Sequence, residues 1–257
     1  MKIAVFGAAG WAGRGLIDNL PDRHQVRAID LNREAWNEWA DIDGEWDRGE
    51  IVDADIRDYA ATERAISGMD AVIHLTVCFP PNEESEFVKD PNPFLINLKG
   101  LWNVIHASQK HGIKRIVHLG SSPVAHRDGV FFSADVRRPG FDLYATTKRL
   151  QEEMCRHAHE GLGLNIIVLR AEYIVDSRLG IGRYREKLGT EAGCPATPGW
   201  VCRHDLAEAC RLAVEADSPA FDVLHITGSK EADKTCNSAH ARTVLGLEYA
   251  GNLDQYR

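Results

Sequence analysis

No stretch of the sequence approaches the roughly 20 consecutive apolar residues that span a bilayer. The apolar run of MKIAVFGAAG breaks at glycine too early to form the core of a signal peptide. Clustered lysine and arginine are also missing. The net charge is −8, and gripping a nucleic-acid backbone needs a basic patch. The six cysteines, at 78, 155, 194, 202, 210 and 236, form no CxxC pair, so neither a zinc site nor a disulfide framework is indicated. The histidines of Arg156-His-Ala-His159 stand two apart and do not share a helix face. There is no repeat and no low-complexity tract. The expectation is a reduced, cytoplasmic protein with no membrane span, no nucleic-acid partner and no metal.

What is present is an alternation. Across 257 residues with 44% hydrophobic content, enough for a full core, apolar runs alternate with amphipathic stretches. KIAVFG (2–7), QVRAID (25–30), EIVDADI (50–56), DAVIHLT (70–76), RIVHLGSS (115–122), NIIVLRA (165–171) and DVLHIT (222–227) read as strands. Segments after residue 7, and around 60–67, 94–110, 142–160 and 204–216, read as helices. Runs such as IVHL lack polar alternation, as strands covered on both faces do. The pattern predicts a Rossmann-like α/β fold, a doubly wound parallel sheet. Residues 176–203, rich in Gly, Arg and Pro, show no period and predict a long functional loop.

The first strand runs into Gly7-Ala-Ala-Gly10-Trp-Ala-Gly13. Glycines at a strand-to-helix junction permit a tight turn, close approach of backbone to a pyrophosphate, and close helix packing. The helix N-terminus then offers free N–H groups to phosphate. The alternative is a tight turn with no ligand. Asp30 ends the second strand about 20 residues on, where an acid accepts from both ribose hydroxyls of NAD and repels the extra phosphate of NADP. Its alternative is a turn cap. Arg33 leaves a route to NADP. Trp36, Trp39 and Trp46 are expected to pack over the adenine side.

These motifs, in this order, resemble the extended short-chain dehydrogenase/reductases, the NAD-dependent epimerase/dehydratase family. Asp53-Ala-Asp55-Ile-Arg-Asp58 resembles the family's acidic motif, which implies adenine contacts from Asp55 and Ile56. His74-Leu75-Thr76 is similar to the segment after the fourth strand, and Asn97-Leu-Lys-Gly100 to the NxxG helix motif. Gly120-Ser121-Ser122 resembles the serine-rich end of the fifth strand, with Ser122 at the catalytic place. Tyr144 and Lys148 follow in LYATTK, a YxxxK pair that alone would say little.

The resemblance implies NAD as cofactor, held by Gly7, Ala9, Gly10, Trp11, Gly13, Asp30, Asp55, Ile56, Leu75, Thr76 and Lys148. It also implies catalysis by Tyr144 and Lys148 with Ser122 and Asn97. Physically, a phenol of pKa about 10 is too weakly ionised to act as a base at neutral pH. A lysine one helical turn away favours the phenolate, and Asn97 would steady its helix and a proton-relay water.

Little chain remains once the sheet is assigned, which predicts a small C-terminal substrate-binding portion, about 171–200 and 228–257, and a small substrate. The pattern is most similar to compact uronate dehydrogenases, which oxidise the anomeric hydroxyl of a free hexuronate. Expected substrate contacts are Ser121, Ser122, His126, Tyr144 and Glu172, with Arg183 or Arg185 for an anionic group. His126 stands where the family has tyrosine, and Ala171-Glu172 where it has glycine-proline. A nucleotide-sugar epimerase or dehydratase that retains its NAD is the alternative. The resemblance also implies a homodimer through the helices near 94–110 and 142–160.

Overall fold

Among the described residues ten strands build two sheets. They are β1 (Lys2–Phe6), β2 (Gln25–Asp30), β3 (Glu50–Asp53), β4 (Ala71–His74), β5 (Arg115–Ser121), β6 (Ile166–Ala171), β7 (Ile174–Asp176), β8 (Ile181–Gly182), β9 (Val201–Cys202) and β10 (Phe221–Ile226). The structure, a computed structural model, describes residues 1–20, 24–79, 89–121, 142–234 and 236–257. The main sheet runs β10-β6-β5-β4-β1-β2-β3, and its neighbours pair in parallel throughout. The chain winds outward from β1 to β3, then crosses back to β4. The order therefore reverses between β1 and β4, where a crevice opens beyond the strand ends.

The helices are α1 (Trp11–Asn19), α2 (Ala40–Asp43), α3 (Tyr59–Ile66), α4 (Asn92–Phe94), α5 (Gly100–Lys110), α6 (Leu143–Leu162), α7 (Arg203–Glu215) and α8 (Ser238–Leu245). Side chains alternate across the sheet. Ile3, Val5, Ile73 and Val117 pack on one face with Leu16, Leu206 and Leu245. Ala4, Phe6, Val72 and Ile116 pack on the other with Leu101, Val104 and Cys155. This double burial explains the strands' continuous apolar runs.

Two start signals are explicit. Asp58 accepts from the Ala60 and Ala61 amides ahead of α3, and Asp142 accepts from the Ala145 amide at 2.7 Å ahead of α6. The second cap fixes where the Tyr144 helix begins. Gly163, at φ +70°, ends it.

The second sheet, β8-β7-β9, covers the crevice side. Beneath it Val175, Leu188, Ala196, Trp200 and Leu253 form a separate apolar cluster. Strands of two or three residues are too short to carry a period, which is why 176–203 read as loop. Among the described residues no helix is long and apolar enough to cross a membrane.

Candidate active site

The glycine turn is held from below. Gly7 N–H and Ala8 N–H donate to Ile29 O at 3.0 and 3.2 Å. Gly7 has φ +81°, and a Cβ there would meet Thr76 N at 2.8 Å, so only glycine fits. A Cβ on Gly13 would overlap Gly7 O and Ala8. Gly13 thus serves by letting α1 close onto the turn, and it does not line the cavity. Gly10 is the N-cap of α1 and supplies no side-chain cap. The first amides of the helix remain available to an anion, with the helix dipole behind them. Asp30 Oδ2 accepts from Ala9 N–H at 2.9 Å, and Oδ1 from Leu31 N–H at 2.8 Å. Burial raises its carboxyl above the ordinary range. The acid therefore caps the turn and also lines the crevice.

A cavity of about 430 Å³ begins at Asp30, Glu38 and Trp39 and passes Ala9, Gly10, Trp11, Leu75 and Thr76. It ends at Tyr144, Lys148, Glu172, Tyr173 and Arg183. That volume is ordinary for a small-molecule cleft, roughly 300–1,000 Å³.

At the far end the Tyr144 hydroxyl donates to Ser121 Oγ at 3.3 Å. Lys148, one turn along α6, is 2% exposed, and its ammonium donates to Leu119 O at 2.9 Å. Burial pulls its pKa down to about 8. Tyr144 departs from the sequence expectation. Burial raises its pKa, and the opposing influences are the Ser121 hydrogen bond and the Arg183 charge, not Lys148. Desolvation of the phenolate outweighs the effect that was expected of the lysine.

Arg183 reaches this end through aromatic stacking. Its Cζ lies 3.8 Å from the Phe79 ring centroid. Phe79 stacks on Tyr144 at 5.1 Å and 14°. Asn97 sits inside Leu95–Lys99, a wide helical turn of the kind frequent at functional sites. Its Oδ1 accepts from Cys78 N–H at 2.7 Å, and its Nδ2 donates to Cys78 O at 3.0 Å and Thr147 Oγ1 at 3.1 Å. Asn97 pins the chain after β4 to α6 and does not line the cavity.

Other expected residues lie elsewhere. Asp55 pairs with Arg57 at 2.6 Å, and Ile56 is a core residue against Gly100; neither lines the cavity. Arg185 pairs with Asp41 at 2.6 Å and lies over Trp39, so of the two arginines only Arg183 lines the wall. Ser122 and His126 lie outside the described residues. Glu172 lines the wall beside Gly199; desolvation raises its carboxyl, against a hydrogen bond with Thr197.

Sequence reading passed over Phe79 and Tyr173 and assigned Trp39 to packing. Phe79 shortly follows the His74-Leu75-Thr76 segment, and that proximity was the available signal. Trp39 packs on Trp11 at 4.7 Å and also walls the cavity. A buried clamp holds this wall. Arg203 donates to Asp43 at 2.6 Å and Asp176 at 2.7 Å. It lies 4.1 Å over Trp11, whose indole N–H donates to Ile174 O at 2.9 Å.

Residues 3–178 match the model of the NAD dependent epimerase/dehydratase family. The chain belongs to this family. It is an NAD-dependent oxidoreductase. L-arabinose 1-dehydrogenase (NAD(P)(+)) of Haloferax volcanii is 26% identical over 237 residues, 85% of this chain and 84% of that protein. Among solved structures, uronate dehydrogenase from Agrobacterium tumefaciens superposes with a TM-score of 0.72 at 20% identity, over 98% of this chain and 85% of that one. UDP-glucuronic acid 4-epimerase from Bacillus cereus, solved in complex with NAD, gives 0.78 at 17% identity, over 100% and 96%. These two share the fold.

The residues present fit the family's dinucleotide. The space beside Gly10 is open, with Gly7 O the nearest atom to an added Cβ at 3.5 Å. Gly10 and Trp11 at the start of α1 line the same cavity as Asp30, an arrangement that suits a pyrophosphate at a helix N-terminus. Arg33, an exposed residue, lies 3.9 Å from Asp53 and is not among the residues lining the cavity.

Proposed function

We propose that this family member is a dehydrogenase that oxidises a hydroxyl of a free sugar or sugar acid, the anomeric one, to a lactone. The carrying observation is that Tyr144 and Lys148 share one cavity with the glycine turn and Asp30, with Ser121 hydrogen-bonded to the Tyr144 hydroxyl and Arg183 at the same end. Among the described residues Arg183 makes stacking contacts but no ion pair.

Bound NAD supplies the hydride acceptor. The chain supplies the rest. Tyr144 takes the hydroxyl proton onto its phenolate oxygen. Ser121 Oγ, already bonded to that oxygen, holds the reacting hydroxyl, a role that Ser122 shares in the family pattern. Lys148 keeps a cation one turn away, and Asn97 fixes the helix that carries both. Arg183 pairs with a substrate carboxylate. Residues 171–200 and 228–257 form the substrate portion in this reading. Free cysteines at all six positions suit a reducing cytoplasm. The exposed Leu95, Trp102 and Leu150 suit a homodimer through α5 and α6.

One observation favours the second reading, an epimerase or dehydratase that retains NAD. Arg185 bridges the 181–187 loop to the Glu38–Asp41 segment, which would slow cofactor exchange. Incubation with NAD and a panel of free hexuronates, aldoses and nucleotide sugars separates the two. Stoichiometric NADH from a free sugar supports the dehydrogenase. Product without net NADH supports the alternative.

A further inference from the structure

Just after β8 the chain combines an exposed ring with a firmly held backbone. Tyr184 is 72% exposed, the most exposed large hydrophobic side chain among the described residues. Its N–H nevertheless donates to Glu186 Oε2 at 2.9 Å, and Glu186 Oε1 accepts from the Tyr173 hydroxyl. Arg185 N–H donates to Gly182 O, and Gly182 N–H to Glu186 O, both at 3.0 Å. Ile181 forms an antiparallel bridge with Lys187. These are the bonds of a hairpin with a three-residue loop, Arg183-Tyr184-Arg185.

The third residue of such a loop is left-handed, a place that glycine fills without steric cost. Here it is Arg185, at φ +64°, the only non-glycine residue with a positive φ among the described residues. Backbone in that region persists where its surroundings hold it. The Arg185 guanidinium donates to Asp41 at 2.6 and 3.0 Å and to Glu38 O at 2.6 Å, and it lies 4.8 Å over Trp39. Glu38 and Trp39 line the cavity. Arginine in the glycine place therefore docks the hairpin tip on that wall. Glycine would keep the turn and lose the docking.

The docked tip brings its other two residues to the cavity, and both line it. The Arg183 guanidinium lies 4.8 Å from the Tyr184 ring centroid and 3.8 Å from that of Phe79, which stacks on Tyr144. Tyr184 thus stands at the catalytic end, one cation and one ring away from the phenol. A sugar carries hydroxyls around its rim and C–H groups on its faces. Glu172 and Arg183 answer the polar rim, and an aromatic face, with its negative quadrupole, answers C–H groups. We infer that Tyr184 is a substrate-binding residue, its ring the platform for a C–H face of the sugar, and that Arg185 is its positioning residue. The inference rests on the sugar-substrate reading. A bound sugar would cover apolar surface that is otherwise left in water.

Glucuronate and UDP-glucuronate are the probes, titrated by NMR into the NADH-loaded protein, which has no hydride acceptor. Binding of the nucleotide sugar alone would count against the free-sugar reading, and the platform would then be tested with that probe. In the unaltered protein the Tyr184 ring protons, assigned by their loss in Tyr184→Ala, should show NOEs to C–H protons on one face of the bound sugar. Tyr184→Ala should weaken binding about tenfold, and Tyr184→Phe, which keeps the ring, should restore it to within about twofold. A side chain this exposed can be removed without disturbing the core. Arg185→Gly should weaken binding about threefold without lowering the melting temperature, since glycine suits the turn and an exposed ion pair adds little. Unchanged affinity in Tyr184→Ala, weakened binding with no such NOEs, or failure of both probes to bind would overturn the platform. Unchanged affinity in Arg185→Gly would overturn the positioning role.

Discussion

The Tyr144 hydroxyl donates to Ser121 Oγ across 3.3 Å. This contact joins the end of β5 to the start of α6, two elements whose placement the sheet register and the Asp142 cap determine separately. It also makes Ser121 the serine seen on the phenol, next to the Ser122 that the family pattern favours. Removing the phenol's oxygen is the simplest challenge. Tyr144→Phe should lower turnover by about 10²–10⁴-fold, the usual worth of a positioned acid or base, with NAD binding by calorimetry nearly unchanged. Retention of most activity would mean that another group removes the proton.

Lys148 carries a stability cost. Burial holds its folded pKa at about 8, below the ordinary 10.5. Between those values the unfolded chain binds more protons, so this group makes stability rise with pH. At pH 7 the cost is on the order of 3 kcal/mol. Lys148→Met should therefore raise the melting temperature near neutrality, lose that advantage by about pH 10, and abolish turnover. A lower melting temperature at pH 7 would show that the lysine's bonds outweigh its burial.

Arg183 has two separable tasks. If it pairs with a substrate carboxylate, Arg183→Leu should raise KM for an anionic sugar by about 10–100-fold and leave neutral sugars little affected. Its charge also favours the Tyr144 phenolate. The acid limb of kcat/KM against pH should therefore move to higher pH in the variant. An unchanged profile with unchanged KM would remove Arg183 from the site.

Arg185 and Asp41 couple the two walls of the cavity mouth. Stopped-flow displacement of NADH should show faster release from Arg185→Ala and Asp41→Asn, with the double variant no faster than either single one. Equal release rates in all four proteins would mean that the bridge does not gate the cofactor.

The sheet was legible because its central strands are buried on both faces, and at Gly7 and Gly13 backbone crowding leaves no room for a side chain. Tyr144 and Lys148 were picked out because the motifs upstream of them stand in the family's order; their spacing of one helical turn alone would say little. Arg183 and Arg185 were not distinguishable. They lie two apart in an aperiodic loop, and only its folded path sends one to Phe79 and the other to Asp41. Phe79 looked like an ordinary apolar residue, since its role comes from what stacks on it. The upward shift of Tyr144 could not be read because it depends on burial, a property of the assembled cavity.

The most direct measurement is the NADH yield when purified protein, NAD and a single free hexuronate or aldose are mixed. One NADH per sugar consumed, abolished in Tyr144→Phe, is the predicted result. Conversion of a sugar with no net NADH, or no reaction with any free sugar while NAD is bound, would contradict the dehydrogenase assignment.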